Sequence, residues 1–158
     1  MTSFEFWQRW LVVCAAAAAI LGLLFVVAPG SSLLTAYNRE VLEAFHREQI
    51  PAGAVRQQAW SLAVLGSTIL GWGILLAWVA AIPLRRRERW AWRAIAVSVL
   101  VWVVTDSIVS YRAGVYLEVL FNGVALALFA LPLRMTYREV MRQPPAAATR
   151  RPSSTGGD

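Results

Sequence analysis

At 158 residues, 58% apolar and only 15% charged, the chain is too apolar for a soluble domain, which carries about 25% charged residues. Its net charge of +6 comes from fifteen basic residues. All are arginine and sit at the ends of long apolar blocks, a distribution that argues against a nucleic-acid partner and for a bilayer. One domain fits in this length, with no separate catalytic module.

The first apolar block runs over about 10–28, free of charge, and stops at Pro29-Gly30. It stands where a signal peptide would. It is long, however, lacks a convincing small-x-small cleavage site, and precedes three more apolar blocks, so a retained membrane helix is expected. Cys14, the one cysteine, is read as a packed or lipid-facing residue. It has no intrachain partner for a disulfide, and Leu11-Val12-Val13 is too bulky for a lipoprotein signal.

Next, Leu34, Tyr37, Val41, Leu42 and Phe45 recur at helical spacing, with Arg39, Glu40, Glu43, Arg47 and Glu48 opposite. This predicts an amphipathic helix over about 32–49, capped by Ser31 or Ser32, stopped by Pro51 and Gly53, and lying on the outer membrane face. It would seal the end of the bundle or act as a lid over a site. Three further spans are predicted over about 58–82, 92–111 and 115–133, since only helices satisfy every backbone group inside lipid. On the second span, Gly66, Ser67, Gly71 and Gly73 form a small-residue surface, with Ser67 and Gly71 in small-x-x-x-small spacing. From Gln143 onward the Pro-, Ala- and Ser-rich sequence has no apolar period, and a disordered cytoplasmic tail is expected over 143–158. The predicted fold class is therefore an all-α membrane protein, a four-helix transmembrane bundle with an amphipathic interfacial helix between spans one and two.

Orientation follows from the arginines. Eleven lie at the ends shared by the termini and the loop between spans two and three, against four on the other side, Arg39, Arg47, Arg56 and Arg112. The richer side is expected in the cytoplasm of a bacterial inner membrane, with both termini inside. Trp7, Trp10, Trp90 and Trp92 would mark that interface, and Trp60, Tyr111 and Tyr116 the outer one.

Asp106 is the residue most in need of explanation. A carboxylate in a span costs at least about 2.5–3.5 kcal/mol on insertion scales, so it must face the bundle interior or a cavity. A tight turn at Ala113-Gly114 would make spans three and four an antiparallel hairpin, setting Asp106 opposite Asn122 and Ser110 opposite Glu118. Ser98, Trp102, Asp106 and Ser110 follow one another every four residues, a single polar stripe. Gln57, Gln58 and Ser61 are expected near the same depth. The candidate ligand-binding residues are thus Asp106, Asn122, Trp102, Ser110 and Glu118, with a bland alternative in which Asp106 and Asn122 only join two helices.

Missing residue types narrow the chemistry. The one histidine, His46, lies in the amphipathic segment, so the spans offer no paired axial ligands for haem and no metal-ligand cluster. No phosphate-binding or dinucleotide-binding glycine motif is present. No cofactor or metal is expected.

The run from Arg85 to Arg93 with its Trp90-Ala91-Trp92 entry, then Trp102, Asp106, Asn122 and Pro132-Leu133, resembles a pattern in small bacterial inner-membrane proteins. Their four-span outline is similar to that of DoxX-like proteins. The resemblance covers about 58–138. Some DoxX-type proteins are linked to quinone-dependent redox complexes, which implies an accessory role here, since the chain has no redox ligands; no family site residue transfers. Three functions follow in order: a non-enzymatic accessory, assembly or interaction subunit with a membrane-protein partner or a second copy; a binder of a small lipophilic, quinone-like ligand at Asp106 and Asn122; and a lipid isomerase using Asp106 as acid and base.

Overall fold

The computed structural model describes residues 2–46, 49–51 and 53–142. It is all-helical over that range: α1 (Ser3–Val27), a 3-10 turn (Ser32–Leu34), α2 (Thr35–Phe45), α3 (Ala54–Ala81), α4 (Arg89–Ala113) and α5 (Tyr116–Met141). Four of these, α1, α3, α4 and α5, are long and apolar enough to cross a bilayer. The chain is a multi-pass helical membrane protein. Its apolar surface points outward, with Ile20, Val27, Leu75, Val109 and Leu120 among many large exposed side chains, as a lipid-facing bundle requires.

The spans run longer than the apolar blocks. α1 starts seven residues early because Thr2 and Glu5 form a reciprocal cap: the Glu5 amide donates to Thr2 Oγ1 (3.3 Å) and the Thr2 amide to Glu5 Oε2 (3.1 Å). α5 continues past Leu133 to Met141 with Pro132 inside it. The amphipathic segment is shorter than its apolar period suggested. It opens with a 3-10 turn, ends at Phe45, and uses no serine cap, for neither Ser31 nor Leu34 makes a side-chain capping bond. Residues 47–48 and the predicted tail, 143–158, lie outside the described residues.

α1 packs against α3 and α5, α4 pairs with α5, and α4 closes the ring against α3 more loosely. The tightest seam is α1 on α3. A Cβ on Gly22 would stand 2.5 Å from the Leu70 amide nitrogen, and one on Gly66 would stand 2.6 Å from the Gly22 carbonyl. Only glycine allows the two backbones this close, with Ala15 and Ala19 continuing the contact to Gly73. Gly66 and Gly73 were anticipated as contact residues. Ser67 and Gly71, whose spacing looked most like a packing motif, are exposed, and a Cβ on Gly71 would meet nothing within 4 Å.

Two prolines free carbonyls that α1 then takes up. Pro83 has no N–H for the Val79 carbonyl, so Leu84 donates there instead (3.0 Å). The Ala80 carbonyl, left without its usual donor, accepts from the buried Gln8 side chain at 2.8 Å. Pro132 likewise leaves the Leu128 carbonyl open, and Trp10 Nε1 (3.3 Å) and Cys14 Sγ (3.7 Å) donate to it. Cys14 and Trp10 therefore hold α1 to α5. At the same end Arg87, in the left-handed backbone region at φ 60°, lays its guanidinium over Phe4 (4.7 Å) and pairs with Glu139 (3.3 Å). Arg89 donates to the Met141 carbonyl at the end of α5 (2.9 Å).

Candidate functional site

The α4–α5 turn sets the site. Gly114 adopts a left-handed φ of 81°, and the Val115 amide reaches back to the Ser110 carbonyl at 2.9 Å, which closes the helix and reverses the chain. The two helices then descend side by side, as the spacing from Gly114 predicted. Asn122, 1% exposed, donates from Nδ2 to Asp106 Oδ2 at 2.7 Å and to Ser107 Oγ at 3.1 Å.

The other members of the predicted set are distributed differently. Glu118 does not pair with Ser110. Its carboxyl lies close to Asp106 and to the Tyr37 hydroxyl. Ser110 is buried at the turn, where its carbonyl closes the helix. Trp102, one turn below Asp106, packs on Trp72 of α3 with ring centroids 5.2 Å apart. That contact helps close the loose α3–α4 side of the ring. Ser98, the last member of the stripe, has a buried hydroxyl with no hydrogen-bond partner.

Three residues were not anticipated here: Ser107, Tyr37 and Glu40. Ser107 is one residue off the four-residue stripe, and Asn122 sits between it and Asp106. Tyr37 and Glu40 come from α2, and no feature of the linear sequence joins α2 to α5. Glu40 is the strongest tie. Its Oε1 accepts from the Tyr116 amide (3.0 Å) and its Oε2 from the Leu117 amide (3.0 Å), so a carboxylate satisfies the open first turn of α5 and meets the positive end of its dipole. Asn38 Nδ2 donates to the Pro29 carbonyl (2.7 Å) and fixes the entry to α2. Burial, then the nearby Glu118 and Asp106 carboxylates, push the Tyr37 phenol well above its ordinary range, so it stays a hydrogen-bond donor.

The amphipathic helix thus lies across the α4–α5 turn end of the bundle. It reaches over the Asp106–Glu118–Asn122 cluster, and Val41, Leu42 and His46 roof a cavity of about 370 Å³ whose floor is Ala54, Gln57, Gln58 and Ser61 of α3. Gln57, Gln58 and Ser61 therefore line the space under α2. Phe45 also borders that space and is 64% exposed. Among the described residues, no three side chains of His, Cys, Asp or Glu gather to hold a metal ion. A scan against protein-family models, a search of curated proteins and a search of solved structures each find no match for the chain.

Proposed function

We propose that the chain is a non-enzymatic subunit of the bacterial inner membrane that works by binding another membrane protein, with both termini in the cytoplasm. One observation supports this above the rest: the Asp106–Asn122 cluster and Glu40 find their partners within the chain. Asn122 holds Asp106 and Ser107, Glu118 meets Asp106 and Tyr37, and Glu40 caps α5. A group that serves as a helix tie in this way is worth about 0.6–2 kcal/mol in a membrane and needs no ligand to justify its presence. The arginine distribution, eleven against four, supports the orientation. The DoxX-like outline fits an accessory role and carries no residue assignment.

Extraction of the tagged chain in mild detergent tests this reading. A membrane protein recovered at fixed stoichiometry supports it; a chain recovered alone, even after crosslinking in the intact membrane, refutes it. For orientation, cysteines placed at exposed Leu33 and Arg86 in a Cys14→Ala background are treated with a membrane-impermeant maleimide in cells whose outer membrane is permeable to it. Labelling at position 33 alone agrees with cytoplasmic termini, and labelling at 86 alone inverts them.

A second reading has its own support. The Asp106–Glu118 carboxyl pair under Tyr37 is an arrangement able to donate and accept a proton, or to anchor the polar end of a lipophilic molecule. Under this reading a bound small molecule disappears in Asp106→Asn while the fold persists.

A further inference from the structure

A groove with a cavity volume of about 770 Å³ runs along the outside of the bundle between α4 and α5, within the roughly 300–1,000 Å³ typical of ligand sites. It is remote from the carboxyl cluster and occupies the half of the bundle nearer the arginine-rich end. Val99, Leu100, Leu126 and Ala130 make its walls apolar, and Arg134 and Arg138 stand at its mouth. One side is held in place: Trp92 Nε1 donates to the Leu133 carbonyl at 2.9 Å and its ring meets Tyr137 edge-on, centroids 5.2 Å apart.

Length and charge identify an occupant. Leu126 to Arg138 covers about 12 residues, roughly 18 Å of helix, against the ~15 Å of hydrocarbon in one leaflet. The apolar walls therefore sit at acyl-chain depth, and the two guanidiniums reach head-group level beside an aromatic pair. Arg134 and Arg138 are both exposed, and neither forms an ion pair among the described residues, whereas Arg87 at the same end is paired with Glu139. Two unneutralised guanidiniums four residues apart on one helix face, about 5–6 Å between their Cβ atoms, suit the oxygens of one phosphate.

We propose that this groove binds an anionic glycerophospholipid from the arginine-rich leaflet, its phosphate between Arg134 and Arg138 and an acyl chain along Leu126 and Ala130. A zwitterionic lipid would leave part of the positive charge unmatched. A second copy of the chain would bring eleven arginines against four acidic residues at this end and so add like charge.

The test is native mass spectrometry of the delipidated full chain titrated with phosphatidylglycerol or phosphatidylcholine. The wild type is expected to retain phosphatidylglycerol preferentially. Arg134→Gln with Arg138→Gln should weaken it roughly 30-fold, the attraction of two interfacial basic residues. Arg85→Gln with Arg86→Gln, removing the same charge from exposed positions at the same end, should weaken it far less. Ala130→Trp fills the groove without changing charge and should also displace the lipid. The proposal is overturned if phosphatidylcholine binds as tightly, if the two arginine pairs have equal effects, or if Ala130→Trp leaves binding unchanged. It is equally overturned if Ala130→Trp dissociates a dimer while lipid binding persists, because the groove would then hold a second copy. Each variant is first checked for wild-type helicity and elution.

Discussion

Replacing Glu40 should release α2 without unfolding the bundle. No residue within α2 is buried, so the helix is held mainly by what its polar side chains reach. Glu40 supplies the cap for Tyr116 and Leu117 at the start of α5. Loss of an N-terminal cap costs about 1 kcal/mol, and loss of a carboxylate from a helix N-terminus costs roughly another 1 kcal/mol in a partly buried site. Glu40→Ala should therefore favour the undocked state by about 2 kcal/mol, an opening equilibrium some 30-fold larger. Glu40→Gln keeps an acceptor and loses the charge, so about fivefold is expected. Hydrogen exchange of the amides from Leu34 to His46 in detergent or nanodiscs measures this directly. The amides of α1 and α3, locked through Gly22 and Gly66, should exchange at wild-type rates. Unchanged α2 exchange in Glu40→Ala would refute the reasoning and pass the docking to Tyr37, Asn38 and the apolar contacts.

The remaining predictions concern the seams. Gly66→Ala places a Cβ 2.5 Å from the Phe25 Cβ and 2.6 Å from a backbone oxygen, so it should destabilise thermal unfolding by about 1–3 kcal/mol. Gly71→Ala, meeting nothing within 4 Å, should be neutral or gain up to about 1 kcal/mol. Trp10→Phe leaves the Leu128 carbonyl with Cys14 as its remaining side-chain donor and should cost about 1 kcal/mol in the same assay. Trp10→Phe with Cys14→Ala should cost more, because the carbonyl is then orphaned. A phenol raised in the docked state contributes fully below its ordinary value near 10 and loses that contribution as pH climbs towards the raised value. Exchange protection of α2 should therefore hold to about pH 10 and weaken above it. Tyr37→Phe should remove that alkaline loss after correction for the intrinsic exchange rate.

Much of this architecture was legible because lipid leaves few choices. Long apolar blocks must be helices, and a carboxylate inside one must find a partner, which made Asp106 and Asn122 visible as a pair once the Gly114 turn set their depth. The span ends were less legible. Composition marks where lipid stops, whereas α1 continues to its Thr2–Glu5 cap and α5 passes through Pro132. That proline reads as a helix breaker, yet the carbonyl it frees is taken by α1 side chains, a contact between residues more than a hundred positions apart. The small-residue spacing of Ser67 and Gly71 misled for a related reason. A four-residue period shows that two positions share a face and not which face meets a neighbour, and Gly22 on α1 was the missing half of the pattern. Glu40 and Tyr37 were read only as the polar and apolar sides of an amphipathic helix. Their roles depend on which bundle helix lies beneath α2, a matter of tertiary placement.

The most direct test of the central claim is the native mass of the tagged chain, extracted in mild detergent, as wild type and as Asp106→Asn. If the Asp106–Asn122 cluster is a tie between helices in a subunit that binds another membrane protein, the wild type carries that partner at fixed stoichiometry. Asp106→Asn then keeps that partner and the same set of small-molecule adducts. A discrete small-molecule adduct present in the wild type and lost in a folded Asp106→Asn would contradict the claim and make Asp106, Glu118 and Asn122 a binding site.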